Sequence, residues 1–101
     1  MTKNYLSKLV GAFGDPIEEN PSVVMMEAAF QAMGLDWRYI NFKIGEEDLA
    51  EAFTGLKAMK FAGINLTIPH KVNALQYMDQ LTPNAQLIGA INTVMVHEGA
   101  L

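Results

Sequence analysis

Asn65, Thr67 and Lys71 stand close together in Asn65-Leu66-Thr67-Ile68-Pro69-His70-Lys71. In an extended chain, side chains two apart share a face. The Asn65 amide and the Thr67 hydroxyl therefore line up and could hydrogen-bond the hydroxyl groups of a polar ligand. Pro69 cannot donate to a β-ladder and marks the end of the extended run, so Lys71 opens the helix that follows. A cation at that place meets the positive end of the helix dipole, at a cost of a few tenths of a kcal/mol to roughly 1 kcal/mol. The position suits a group that gives and takes a proton. Exposure to water would screen the dipole and make Lys71 equally well an ordinary surface charge. His70 is a rival acid–base group, but it sits between Pro69 and Lys71 and is expected to point away from them. It reads first as a surface or packing histidine.

Two more clusters carry short polar side chains near expected element ends. Asn20 and Ser22 flank Pro21 at the start of a helical stretch, where free backbone N–H groups favour an anion such as a carboxylate. Asn and Ser are also ordinary capping residues, and capping is the first reading of both. Glu18 and Glu19, just upstream, weigh against an anion. Gly89-Ala90-Ile91-Asn92-Thr93 puts small residues before a strand and an amide at its mouth; Asn92 there would cap or bind.

The elements that must position these residues follow from apolar periodicity. Leu9 to Phe13 is a short apolar run stopped by Gly14-Asp15-Pro16, a strand followed by a turn. Asn20 as N-cap and Pro21 at the first helical position open a helix carrying Val23, Met26, Phe30 and Met33 at helical spacing, and Gly34 closes it. Trp37 to Ile44 alternates and is rich in aromatic and branched residues, which predicts a second strand. Glu46, Glu47 and Asp48 suit a first helical turn, ahead of an apolar stripe of Leu49, Phe53 and Leu56. Ala62 to Ile68 predicts a third strand, and Val72, Leu75 and Met78 a helical stripe. Thr82-Pro83 reads as a short capped helix reaching Gly89, Ile91 to Val96 as a fourth strand, and His97-Glu98-Gly99 as a turn. The β-α-β-α-β-α-β order predicts one α/β domain over residues 1–101, a three-layer arrangement with a largely parallel, mixed sheet flanked by helices. Ligands gather at the C-terminal ends of strands in such sheets. Asn65, Thr67, Lys71 and Asn92 are therefore expected on one cleft.

Composition removes several function classes. With 7 basic against 11 acidic side chains and a net charge of -4, no basic run offers a dock for a phosphate backbone, and nucleic acid is not an expected partner. No apolar stretch approaches the ~20 residues of a membrane span, and the first residues are too polar for a secretory signal, so the expected location is cytoplasmic with no membrane partner. The absence of Cys and the presence of only 2 His argue against a thiolate nucleophile, a disulfide or a protein-built metal site. No Gly-rich phosphate loop, nucleophile elbow or H-E-x-x-H appears, and the Met residues, mainly on helical stripes, read as core filling.

Asn65-Leu66-Thr67-Ile68-Pro69-His70-Lys71 resembles the N-[VL]-T-x-P-x-K signature of the shikimate and quinate dehydrogenase family, and Gly89-Ala90-Ile91-Asn92-Thr93-Val94 resembles its G-A-[VI]-N-T-[VI] motif. Gly14-Asp15-Pro16-Ile17, with Ala28-Ala29-Phe30 downstream, is similar to the family's first motif. The resemblance implies a substrate-binding domain in which Lys71 is catalytic and Asn65, Thr67 and Asn92 hydrogen-bond the ring oxygens of a shikimate- or quinate-like acid. The two serines that hold the substrate carboxylate in the family fall on Asn20 and Ser22, so the first is changed. Val23 stands where the family has Pro, and Met26-Glu27 where it has His-Asn. The resemblance also implies a nicotinamide cofactor, NADP or NAD, bound by a C-terminal Rossmann domain absent from this chain. An aspartate expected beyond Leu101 would partner the lysine, so the chain by itself is expected to be inactive. Because the first motif is altered, two other readings stand beside catalysis: a stand-alone binding or regulatory module for a shikimate-like acid, and a degenerate domain that binds nothing.

Overall fold

Alternation along each strand decides which helix its side chains meet. The structure is a computed structural model and describes residues 5–101. Strands β1 (Lys8–Gly14), β2 (Trp37–Lys43), β3 (Gly63–Leu66) and β4 (Thr93–Met95) form one four-stranded sheet in the order β2-β1-β3-β4. β1 runs parallel to both β2 and β3, and β4 closes the far edge antiparallel to β3. The expected mixed, largely parallel sheet is thus present. On one face Phe13, Ile64, Leu66 and Val94 are buried with Leu49, Phe53 and Leu56 of helix α2 (Leu49–Ala58), which a short 3₁₀ turn of Glu46–Asp48 introduces. On the other face Ala12 and Tyr39 pack with Ile17 and with Phe30 of helix α1 (Ser22–Ala32). The sheet lies between helices, as the three-layer expectation requires.

Departures from the sequence pattern fall at element ends. Pro21 occupies the cap position itself, with α1 starting at Ser22, so Asn20 lies one residue before the cap. The third strand ends at Leu66, because Thr67 turns into the loop and its carbonyl accepts from His70 N–H at 2.9 Å. Of the expected stripe, Val72 lies in helix α3 (His70–Asn73) and Leu75 in the 3₁₀ turn Ala74–Tyr77 that continues it, while Met78 follows in an extended conformation. Val72 is 62 % exposed, and Ala74 is the fully buried residue of this stretch. The Thr82-Pro83 reading holds in detail. Helix α4 (Pro83–Ile88) has Thr82 Oγ1 accepting from Ala85 N–H at 3.1 Å, and ends at Gly89, whose φ of 76° is left-handed. The fourth strand is shorter than expected, Thr93–Met95, and the turn after it closes through paired backbone bonds of His97 and Ala100, both 2.9 Å.

α1 and its apolar partners cover only the β1–β2 half of their face. Over β3 and β4 the same face shows Asn65, Thr93 and Met95, the last 74 % exposed. This uncovered half-sheet is the floor on which the polar residues stand. The opposite face relies on Phe53, 2 % exposed and in ring contact with Phe13 and Tyr77. Phe53→Ala should therefore cost about 3–5 kcal/mol, read as a shift in urea midpoint. A loss under about 1 kcal/mol would mean that the face repacks freely.

Candidate functional site

The backbone following β3 is fastened on both sides. Thr67 N–H donates to Phe13 O at 3.1 Å, and Asp15 N–H donates to Ile68 O at 2.9 Å, joining this segment to the end of β1. Leu66 N–H donates to Asn92 O at 2.7 Å, and Ile91 N–H donates to Lys71 O at 2.9 Å, joining it to the loop before β4. The Asn65–Lys71 and Gly89–Thr93 clusters are therefore stitched to each other and to the end of β1, forming one rim. His70 supplies a third fastening: it is fully buried, and its Nε2 lies 2.6 Å from Ile44 O beyond the end of β2. His70 is a packing histidine, and it turns away from the cleft as expected. Gly14 completes the join, because a Cβ there would fall on the Thr67 methyl.

Two side-chain networks stand on this rim. In the first, Asn65 Nδ2 donates to Tyr39 Oη at 2.9 Å and Thr93 Oγ1 donates to Asn65 Oδ1 at 3.1 Å. An amide has two N–H groups and two lone pairs, so Asn65 keeps one of each for a ligand. In the second, Asn20 Nδ2 donates to Asn41 Oδ1 and Asn41 Nδ2 donates to Asn20 O, both at 3.0 Å, while Ser22 N–H reaches Asn20 Oδ1 at 3.4 Å. Beside the second network lies an open cleft of ≈ 430 Å³ lined by Pro16, Ile17, Glu18, Glu19, Asn20 and Thr67.

The rim is acidic. Glu18 is held well below the usual carboxylate range, at about 2, first by its own backbone N–H, then by a hydrogen bond from Lys43 and by the Ile17 N–H. Lys43 lies 3.1 Å from Glu18 and is raised in turn, first by that hydrogen bond and its charge and then by Asp15. Glu18 and Lys43 side chains are 59 % and 62 % exposed, so solvent screens the pair. Lys71 is exposed on a helix of a single turn, where water screens the dipole and leaves position and reach as its assets.

Asn20 and Thr67 thus meet at one cleft, Asn65 stands on the uncovered floor, and Asn92 and Lys71 are joined to the same segment through their carbonyls. No hydrogen bond among the described residues links the Lys71 ammonium to Asn65, Thr67 or Asn92. Sequence reasoning passed over Tyr39, Asn41 and Thr93. The available signal was an amide in a strand otherwise built of aromatic and branched residues, where Asn is disfavoured unless a partner holds it. Among the described residues no cluster of His, Asp and Glu could hold a metal ion, and no helix is long and apolar enough to cross a membrane.

The family model for the shikimate dehydrogenase substrate binding domain matches residues 12–94. The chain belongs to that family. A shikimate dehydrogenase (NADP(+)) of Citrifermentans bemidjiense is 46 % identical over 101 residues, which is 100 % of this chain and 35 % of that protein. One from Methanobrevibacter smithii is 45 % identical over 90 % of this chain and 32 % of its own length. Among solved structures, a ligand-free 5-ketofructose reductase of a Gluconobacter species superposes with a TM-score of 0.95 at 44 % identity, covering 97 % of this chain and 35 % of that one. A shikimate 5-dehydrogenase of Listeria monocytogenes, bound to shikimate and NAD, superposes with a TM-score of 0.91 at 35 % identity, covering 99 % and 35 %. The chain therefore spans about a third of the length of these relatives.

Two expectations follow for this member of the shikimate dehydrogenase family. Gly14→Ala should push Thr67 off the rim and cost about 1–3 kcal/mol; thermal melts reading no loss would show that the loop yields. Carbon-detected NMR titration should find Glu18 near about 2 rather than 4.5, and Lys43→Met should return it part of the way. Because the folded value is depressed, the stability it contributes is present above pH 4.5 and lost as pH falls toward 2. Glu18→Gln should flatten that acid limb, and an unchanged limb would show that the pair contributes nothing to folding.

Proposed function

We propose that this domain, residues 1–101, is the substrate-holding part of an NADP- or NAD-dependent oxidoreductase that interconverts a ketone and an alcohol on a polyhydroxylated small molecule. The shikimate/3-dehydroshikimate pair, or a quinate-like acid, is the substrate type that most of the similar proteins' names supply, and 5-ketofructose is the other. Both carry a carbonyl or alcohol beside several hydroxyl groups. The observation that carries the reading is the Tyr39–Asn65–Thr93 network on an uncovered sheet floor. It fixes an amide that keeps one N–H and one lone pair uncommitted, which is what a sugar-like hydroxyl requires.

In this reading Asn65, Thr67 and Asn92 hold hydroxyl groups of the substrate, Asn20 and Ser22 contact its far end, and Lys71 acts at the carbonyl. The ammonium gives a proton to the carbonyl oxygen as it becomes an alkoxide and takes it back in the reverse direction. The loop after β1, where a dinucleotide fold would carry glycines for a pyrophosphate, instead carries Asp15, Pro16, Glu18 and Glu19, so these residues do not fit the cofactor. Its binding is assigned to a C-terminal domain, consistent with relatives about three times as long. The relatives are named as dehydrogenases and reductases, which favours catalysis over a binding-only or degenerate module.

The test uses the enzyme that joins this domain to its cofactor domain, with the 101-residue chain as a control expected to give no turnover. Lys71→Met should lower kcat by about 10²- to 10⁴-fold with ligand affinity within a few-fold of the parent. Turnover by the short chain alone, or an unchanged kcat in Lys71→Met, would refute these assignments.

A further inference from the structure

The far end of the cleft carries a chemistry of its own. A carboxylate accepts hydrogen bonds and donates none, so a site built for it offers several donors and positive potential. Here several of the backbone donors at the start of α1 are already engaged. Asn20 N–H donates to Ile17 O at 3.0 Å, Val24 N–H to Pro21 O at 3.0 Å, and Ser22 N–H is turned toward Asn20 Oδ1 at 3.4 Å, while Pro21 has no N–H. The Asn20 amide is locked by Asn41, which takes one of its N–H groups. What it keeps for the cleft is one N–H and one lone pair, the complement of a hydroxyl, which both donates and accepts.

Charge points the same way. Two carboxylates, Glu18 and Glu19, line this cleft. The nearby ammonium of Lys43 is engaged with Glu18 at 3.1 Å and faces Asp15 as well. Three acids against one base leave this end net negative, and a ligand carboxylate brought within about 5 Å of Glu19 would meet like-charge repulsion of the order of 1 kcal/mol even at high dielectric.

We propose that this cleft selects a neutral polyhydroxylated ketone over a carboxylate-bearing one, with the Asn20 amide and the Glu18 and Glu19 carboxylates as the groups that set the preference. The inference rests on the reading that the domain holds a polyol ketone for reduction, and it names the substrate class for that site. Asn20 takes a ligand hydroxyl as donor and acceptor at once, and the acids accept from hydroxyls further along the same molecule.

The experiment measures binding and turnover separately in the enzyme joined to its cofactor domain. Calorimetric titration with an inosose and 5-ketofructose as neutral probes, and with shikimate and 3-dehydroshikimate as acidic ones, reads the preference without requiring reduction. The neutral probes should bind at least about tenfold more tightly. Glu19→Gln, an exposed change that leaves the fold alone, and Asn20→Ser should each move the ratio toward the acids, together by about tenfold or more. Tighter binding of the acids by the parent protein, no binding of either neutral probe, or a ratio unmoved in both variants would overturn the proposal. Nicotinamide absorbance then follows reduction of the two ketone classes. Neutral probes that bind preferentially but are not reduced would sink the hydride-transfer reading and leave the preference standing; preferential reduction of 3-dehydroshikimate would sink the preference alone.

Discussion

The segment from Leu66 to Lys71 is hydrogen-bonded to the end of β1 on one side and to the loop before β4 on the other, and the placement of Thr67 and Lys71 hangs from this double attachment. A loop tied on one side only could swing. Tied on both, it transmits the geometry of a buried sheet to side chains standing in water, and sites placed on such rigid elements are the more precise for it. Two features make the attachment possible. Gly14 leaves the space that Thr67 occupies, and the His70 ring replaces solvent as the partner of the Ile44 carbonyl, so a backbone oxygen near the core is not left unpaired.

The layers divide their work unevenly. The α2 side holds most of the large apolar residues and supplies cohesion. The α1 side is half covered, and where the cover stops the strands carry Asn65 and Thr93 in place of apolar groups. A polar pair in the middle of a sheet would be costly if it were both buried and unpaired. Here Asn65 and Thr93 bond to each other across the β3–β4 register, so the floor stays polar without disturbing the ladder.

The order of elements and the identity of the layers were legible in the sequence because they follow from apolar spacing, which tertiary contacts only reinforce. The candidate site segments were legible because Pro69 and Gly89 mark where the chain changes direction, while a catalytic role for Lys71 is what the family resemblance implies. Less was legible at the element ends. Whether Asn20 or Pro21 occupied the cap depended on one residue of phase, and apolar spacing does not encode that the helix after Pro69 is one turn long and passes into 3₁₀ winding at Ala74. The partners of the site residues were not legible at all. Tyr39 meets Asn65 across 26 positions and Asn41 meets Asn20 across 21, and only the parallel register of β1 with β2 and β3 brings them together.

Tyr39 and Asn41 are also two residues apart on one face of β2, and each anchors one of the two networks. A strand advances about 3.3 Å per residue, so the two anchors are set roughly 6–7 Å apart by backbone geometry that no side-chain substitution alters. The strand acts as a fixed gauge between the two networks. The networks share no residue, so changes in one end are free to accumulate with little penalty at the other. A lineage built on this scaffold can exchange the polar groups at one end while the spacing to the other end stays the same.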